Sequence, residues 1–218
     1  MTKDSILILS GGMDSVTLLH EEDKRIALAL SFDYGSNHNK KEIECAALQC
    51  KSLGIPHVVI PLSFMKQYFH SSLLEGSEEI PKGEYGIENM KSTVVPFRNG
   101  IMLSVACGMA ESMGLKFVLM ANHGGDHSIY PDCRPEFVDA MSRAMKAGTY
   151  EGVTLRAPYT NLTKAEIAKR GKKLDIDYSL TYSCYCGGEK HCGTCATCLE
   201  RKNALEAAGI EDKTIYEN

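Results

Sequence analysis

The stretch that decides the fold is SILILSGGMDSVTLLH, residues 5–20. The apolar run at 5–9 ends at a pair of glycines and reads as a buried strand. A helix is expected to open on the turn and to cover residues 13–20. Gly11 and Gly12 let backbone N–H groups approach an anion closely, and the start of the following helix adds its dipole. Ser10 and Ser15 carry hydroxyls that can donate to phosphate oxygens. Asp14 repels phosphate unless a cation intervenes, so its presence points to Mg2+ between carboxylate and pyrophosphate. The plain alternative is a glycine turn with Asp14 as a helix cap. Neither G-x-x-x-x-G-K-[ST] nor G-x-G-x-x-G follows this strand, which removes two other phosphate loops.

Outward from that turn, strand and helix patterns alternate. Strands are expected at 26–32, 57–62, 116–121 and 153–158. Helices are expected at 39–54, with Ile43, Ala46, Ala47, Cys50 and Leu53 on one face and Gly54 as the stop, at 99–113, at 135–148 and at 163–173. Pro135 suits a first helical position, Phe137, Met141 and Met145 read as core packing, and Thr163 with Glu166 matches a capping box. Residues 71–92 are polar, hold Gly and Pro, and read as a long functional or mobile loop. The pattern predicts an α/β fold, a doubly wound parallel five-stranded sheet. Ligands of such a sheet bind beyond the carboxyl ends of its strands, where SGGMDS lies.

The chain has 218 residues, 44% of them hydrophobic and 24% charged, and a formal charge of −4. That balance suits a protein with a full hydrophobic core and no affinity for nucleic acid. The opening MTKDSILILSGG has too short an apolar run for a signal peptide, and no membrane span is expected. A cytoplasmic enzyme is the reading.

Nine cysteines are present, and five of them, Cys184, Cys186, Cys192, Cys195 and Cys198, crowd into fifteen residues. Two consecutive C-x-x-C turns without a secretion signal favour a metal site over disulfides. Cys192, Cys195, Cys198 and one upstream cysteine make a closed four-thiolate site, the signature of structural Zn2+. An iron–sulfur cluster fits the same ligands, and spacing leaves Cys184 and Cys186 open as the fourth. A composition change near residue 178 divides the chain into a nucleotide domain, 1–177, and a small zinc-binding module, 178–218.

Three more stretches border the expected cleft. SFDYGSNHNKKE (31–42) ends the second strand. VVPFRNG (94–100) puts Arg98 and Asn99 at a helix start, where a cation meets phosphate or carboxylate. HSIYPDCRPEF (127–137) offers Tyr130, Asp132 and Arg134; Asp132 suits a purine-like N–H edge and Arg134 an anion. Each has a bland alternative as a turn cap or surface charge. Cys133 reads as packing, Lys164 as a phosphate contact or a solvated lysine, and His38 and His123 as candidates for a general base.

SGGMDS resembles the pyrophosphate loop of the N-type ATP pyrophosphatases, whose S-G-G-x-D-S grips the β,γ-phosphates while the α-phosphate is attacked. The ordered set S-G-G-x-D-S, F-D-Y-G, V-P-x-R-N, Y-P-D-C-R-P-E-F, T-K-A-E-I and S-C-Y…C-x-x-C-x-x-C is similar to the 7-cyano-7-deazaguanine synthase family of the queuosine pathway, over about residues 6–209. That resemblance implies an adenine nucleotide alpha hydrolase-like, Rossmann-like fold. It implies ATP cleavage to AMP and pyrophosphate, Mg2+ with the ATP, and one structural zinc. The substrates would be 7-carboxy-7-deazaguanine and ammonia, and the chain a homodimer. The ATP segment would be Ile8, Leu9, Ser10, Gly11, Gly12, Met13, Asp14, Ser15, Val16, Thr17 and Leu18, with Asp14, Ser15 and Arg98 catalytic. Tyr130, Asp132 and Arg134 would take the deazaguanine. The family's S-C-Y selects Cys184 with Cys192, Cys195 and Cys198 as zinc ligands, leaving Cys186 spare. Where the family commonly reads Y-G-Q-R-H, this chain has Tyr34-Gly35-Ser36-Asn37-His38. A tRNA thiolase and a zinc-ribbon binding module on a nucleotide scaffold are the rival readings.

Overall fold

A computed structural model describes residues 3–77, 79–83 and 90–217 of the chain. Five strands, β1 (Ser5–Ile8), β2 (Ile26–Asp33), β3 (His57–Pro61), β4 (Phe117–Leu119) and β5 (Thr154–Arg156), form one sheet in the order β3-β2-β1-β4-β5. Every neighbouring pair is parallel. The chain winds from β1 outward through β2 to β3, then returns to β4 on the other side. The strand order therefore reverses beside β1, and a crevice opens beyond its carboxyl end.

Both faces of the sheet are covered, as parallel sheets require. Successive side chains of β1 point to opposite faces, so Ile6 and Leu7, both fully buried, enter different cores. Helix α1 (Met13–Glu21) supplies Val16, Leu18 and Leu19 to the Leu7 side, joined by Ala46 and Cys50 of α2 (Asn39–Leu53). The Ile6 side takes Met65 of the short α3 (Phe64–Tyr68), Leu103 and Ala106 of α4 (Arg98–Ser112) and Met145 of α5 (Pro135–Gly148). Phe137 and Met141 of α5 pack against that same cluster.

Local signals behave as their chemistry requires. Gly54 ends α2 in the left-handed region at φ 63°. Thr163 and Glu166 close a reciprocal capping box on α6 (Lys164–Lys173): the Thr163 N–H donates to Glu166 at 2.8 Å and the Glu166 N–H to Thr163 at 3.2 Å. Strands β4 and β5 are only three residues each, shorter than the hydrophobic runs around them. Beyond β4, Met120 still donates to the Arg156 carbonyl at 3.0 Å, but the backbone then diverges into the crevice loops. The long loop expected over 71–92 is broken by a short 3-10 turn at Lys91–Thr93, and its residues 78 and 84–89 lie outside the described residues.

Across 177/178 the core is continuous. Helix α7 (Ala196–Ala207) contributes Ala204 and Leu205 to the Leu7 cluster, beside Ile167 and Ala168 of α6. Tyr178 hydroxyl meets Thr17 Oγ1 at 2.7 Å, and Arg201, fully buried, donates to Thr181, Ser183, Thr214 and the Tyr178 carbonyl. The segment Lys91–Ser112 is long and apolar enough by composition to cross a bilayer. It is broken between Thr93 and Arg98, and α4 covers the sheet with its buried face.

Candidate active site

At the carboxyl end of β1 the chain must turn sharply into α1. Gly11 makes that turn at φ 95°, and a Cβ there would lie 2.1 Å from the Glu42 carbonyl oxygen of α2. Only glycine meets both conditions. Ser10 and Ser15 hydroxyls bond each other at 2.9 Å, and they accept from the Gly12 and Gly11 N–H groups at 3.1 and 3.3 Å. The N-cap of α1 is Gly12, with no side-chain cap. Asp14 is therefore not a cap: it lies in the first turn, lines the crevice, and its Oδ1 is buried without a partner among the described residues.

Cations and donors converge on Asp14 Oδ2. Lys164 Nζ stands 3.3 Å away and also contacts Glu200 at 2.7 Å, so this lysine is part of the crevice rather than solvated. His123 Nε2 lies 3.7 Å from Asp14 and 3.6 Å from Asp126. The other ring nitrogen, Nδ1, accepts from the Gly125 N–H at 3.1 Å. That bond places the proton of the neutral ring on Nε2, facing both carboxylates. In that tautomer the Nε2–H of His123 faces Asp14 and Asp126 at ion-pair rather than hydrogen-bond distance.

The opposite wall comes from the β2–α2 loop and the start of α4. Asn39 organises that loop: its Oδ1 accepts from the Tyr34 and Ser36 N–H groups at 3.1 and 3.0 Å, and its Nδ2 donates to the Phe32 carbonyl at 2.9 Å. Arg98 is aimed into the crevice by a left-handed Phe97 at φ 51°, whose ring covers Gly100 and meets Phe137 edge-on at 5.8 Å. Arg98 donates to the Tyr34 hydroxyl at 3.1 Å, and that hydroxyl is 3.4 Å from His38 Nε2. Burial works against the Arg98 charge, but Tyr34 and Asp132 more than offset it, so its pKa rises and the guanidinium stays charged. Burial, with help from Arg98, pulls His38 down to about 3, leaving a neutral imidazole. Burial also pushes Glu42 up to about 8.

The ATP segment read from sequence divides in two. Ile8, Leu9, Ser10, Gly12, Met13, Asp14 and Ser15 line the crevice; Gly11, which makes the turn, does not, and neither do Val16, Thr17 and Leu18. Those three face the core, because a helix that offers its first turn to a ligand buries its second turn against the sheet. Tyr130, Asp132 and Arg134 are also absent from the lining. Tyr130 bonds Thr93 and Tyr185 through its hydroxyl at 2.9 and 3.0 Å. Asp132 accepts from the Asn99 N–H at 2.8 Å, satisfying the start of α4, and Arg134 donates to the His127 carbonyl at 2.8 Å. In this arrangement the three build the loop behind the wall. Cys133 does reach the crevice, where burial raises its pKa well above the ordinary thiol value, so it stays a protonated packing group. Ser36 and Asn37, in place of the family's Gln-Arg, tie the loop to residues 72–74: Asn37 N–H donates to the Leu73 carbonyl at 2.9 Å.

The cysteines form a separate centre. Sγ atoms of Cys184, Cys192, Cys195 and Cys198 all lie within 4.8 Å of one another, with Cys192–Cys198 at 4.0 Å and Cys184–Cys195 at 3.9 Å. A tetrahedron with metal–sulfur arms of about 2.3 Å has edges of roughly 3.8 Å, so the four thiols fit a closed metal site. Backbone N–H groups of Cys186 and Cys192 point at Cys184 Sγ, and those of Thr194 and Cys195 at Cys192 Sγ. Such donors stabilise thiolates from outside the ligand set. Cys186 itself is exposed and outside the cluster.

The model of the family described as queuosine biosynthesis protein QueC matches residues 4–209. The chain belongs to the QueC family. A 7-cyano-7-deazaguanine synthase from Porphyromonas gingivalis is 59% identical over 215 residues, covering 99% of this chain and 98% of that protein. One from Desulfotalea psychrophila is 53% identical, covering 98% of each. The solved structure of NMN synthetase from Francisella tularensis superposes with a TM-score of 0.51 at 14% identity, over 96% of this chain and 78% of that one. It supports the α/β architecture of this QueC family member and nothing about its chemistry.

Proposed function

We propose that this QueC family member is a 7-cyano-7-deazaguanine synthase, a carbon–nitrogen ligase that joins 7-carboxy-7-deazaguanine and ammonia and cleaves ATP to AMP and pyrophosphate. One observation carries the reading. The start of α1, which has no side-chain cap, a buried Asp14 oxygen without a partner among the described residues, and the Arg98 guanidinium face one crevice at the strand-order reversal. Ser10, Gly11, Gly12 and Ser15 would cradle the pyrophosphate of ATP. Asp14 is the residue to hold Mg2+, which supplies neutralising charge between the phosphates. Lys164, 3.3 Å away, and His123, 3.7 Å away, flank that carboxylate and would orient it.

A carboxylate is a poor acyl donor because its leaving group is oxide. Attack of the substrate carboxylate on the α-phosphate expels pyrophosphate and gives an acyl adenylate. Ammonia displaces AMP from it and leaves an amide. The amide oxygen then attacks a second ATP, and loss of AMP with two protons yields the nitrile. The chain would contribute positioning and charge stabilisation, with Arg98 opposite the substrate carboxylate and the reacting phosphate. No protein nucleophile takes part. The Tyr130–Arg134 loop supports the substrate wall. The four cysteines hold structural Zn2+ outside the reaction, in a cytoplasmic homodimer whose thiols stay reduced.

The test is an incubation with ATP, Mg2+, ammonium and 7-carboxy-7-deazaguanine, read by mass spectrometry. The nitrile mass together with AMP is expected. AMP without the nitrile would transfer the reading to another substrate, and binding of tRNA would favour a thiolase. ATP bound without turnover would favour the binding module.

A further inference from the structure

A guanine-type ring presents two adjacent donors, N1–H and the 2-amino group, and a buried carboxylate is the group that accepts both at once. Asp132, the acceptor suggested by the sequence, accepts from the Asn99 N–H and does not line the crevice. The carboxylates that do line it are Asp14, Glu42 and Asp126. Asp14 faces Lys164 and the phosphate loop, and Asp126 accepts from the His123 N–H at 3.4 Å. Glu42 is different. Its carboxylate accepts no hydrogen bond among the described residues, and its side chain is 16% exposed. His38 Nε2 stands 3.7 Å from it, on an imidazole that carries no charge.

Burial holds the Glu42 carboxyl up at about 8, so without donors it is largely protonated at neutral pH, and two N–H donors arriving together would favour its ionised, doubly accepting form. Position supports the same reading. Glu42 sits in the first turn of α2, and its backbone carbonyl touches Gly11 of the phosphate loop. Arg98 is the cation on that wall. In 7-carboxy-7-deazaguanine the carboxylate and the N1–H/2-amino edge lie at opposite ends of the bicycle, and the crevice lining offers a cation, Arg98, for one and a carboxyl, Glu42, for the other.

Resting on the reaction proposed above, we propose that Glu42 is the specificity-determining residue of the crevice, accepting both donors of the guanine edge of the substrate. The bond to be tested is a pair of N–H···O contacts, so the substrate is varied along with the residue. Wild type should prefer 7-carboxy-7-deazaguanine over its analogue lacking the 2-amino group by on the order of a hundredfold in kcat/KM. Glu42→Gln should raise KM for the natural substrate by a comparable factor, collapse that preference to a few-fold, and leave KM for ATP within about twofold. Thermal midpoint and metal content serve as folding controls. Glu42→Asp, which keeps the carboxylate, should retain the preference at weaker affinity, and it carries the test if the Gln variant does not fold.

A loss confined to kcat would make Glu42 a base and overturn the proposal. A rise in KM for ATP alone would assign it to adenine, and an unchanged preference would give the edge to another acceptor. Failure of wild type to convert 7-carboxy-7-deazaguanine at all would instead count against the reaction itself.

Discussion

The crevice beside the Gly11 turn and the cysteine cluster are two polar centres in one small protein, and they handle unmet bonding capacity in opposite ways. In the crevice, among the described residues, Asp14 Oδ1 has no partner, the Glu42 carboxyl accepts no hydrogen bond and α1 has no side-chain cap. Around the cysteines, thiols converge to within 4.8 Å, backbone N–H groups point at sulfur, and Arg201 is saturated by neighbouring oxygens. We read the unmet capacity as the place where substrate arrives and the saturation as the place where structure is held.

Mutations should separate the two centres. Asp14→Ala is expected to lower kcat/KM by roughly a thousandfold or more, since it removes charge organisation at the phosphates. Its thermal midpoint should stay unchanged or rise, because a buried carboxylate oxygen without a partner is lost. A large loss of stability would show that Asp14 belongs to the structural class. Cys195→Ser should do the reverse: metal content falls, and stability drops by about 4 kcal/mol or more in chemical denaturation, activity following only through the fold. A metal-free variant of equal stability would break the comparison.

Gly11→Ala joins the centres through the backbone. Positive φ and a collision with the Glu42 carbonyl should cost roughly 2 kcal/mol or more and displace α2 from the crevice. ATP affinity and thermal midpoint should therefore fall together, in titration and in unfolding. Thr163→Ala sharpens the low end. Losing one half of the capping box on α6 should cost about 1 kcal/mol. KM for ATP should shift only slightly, through Lys164 at the first turn.

Much of the fold was legible because it rests on repeating periods. The five strands, the parallel order and the helices at 39–53, 98–112, 135–148 and 164–173 follow from apolar spacing and caps. The glycine turn after β1 and the four-cysteine cluster were legible because close spacing leaves their residues few alternative neighbours. What escaped depends on side-chain direction. Asp132 sits in a motif beside the crevice, but its carboxylate turns back to the α4 N–H groups. Val16, Thr17 and Leu18 share a segment with Asp14 yet face the core. Asn39 and Glu42 lay within a stretch already marked as bordering the crevice, with no spacing rule to show which side chains enter it. Phe97 had no signal, since its left-handed turn is imposed by packing on Gly100 and Phe137.

The most direct measurement uses substrate labelled with 18O in both carboxylate oxygens, incubated with ATP, Mg2+, ammonium and the zinc-loaded protein. If the crevice activates the carboxylate by adenylation, then each nitrile formed is accompanied by two AMP molecules, each carrying one labelled oxygen. Label found in water or inorganic phosphate, or ADP as the nucleotide product, would contradict adenylation by this crevice.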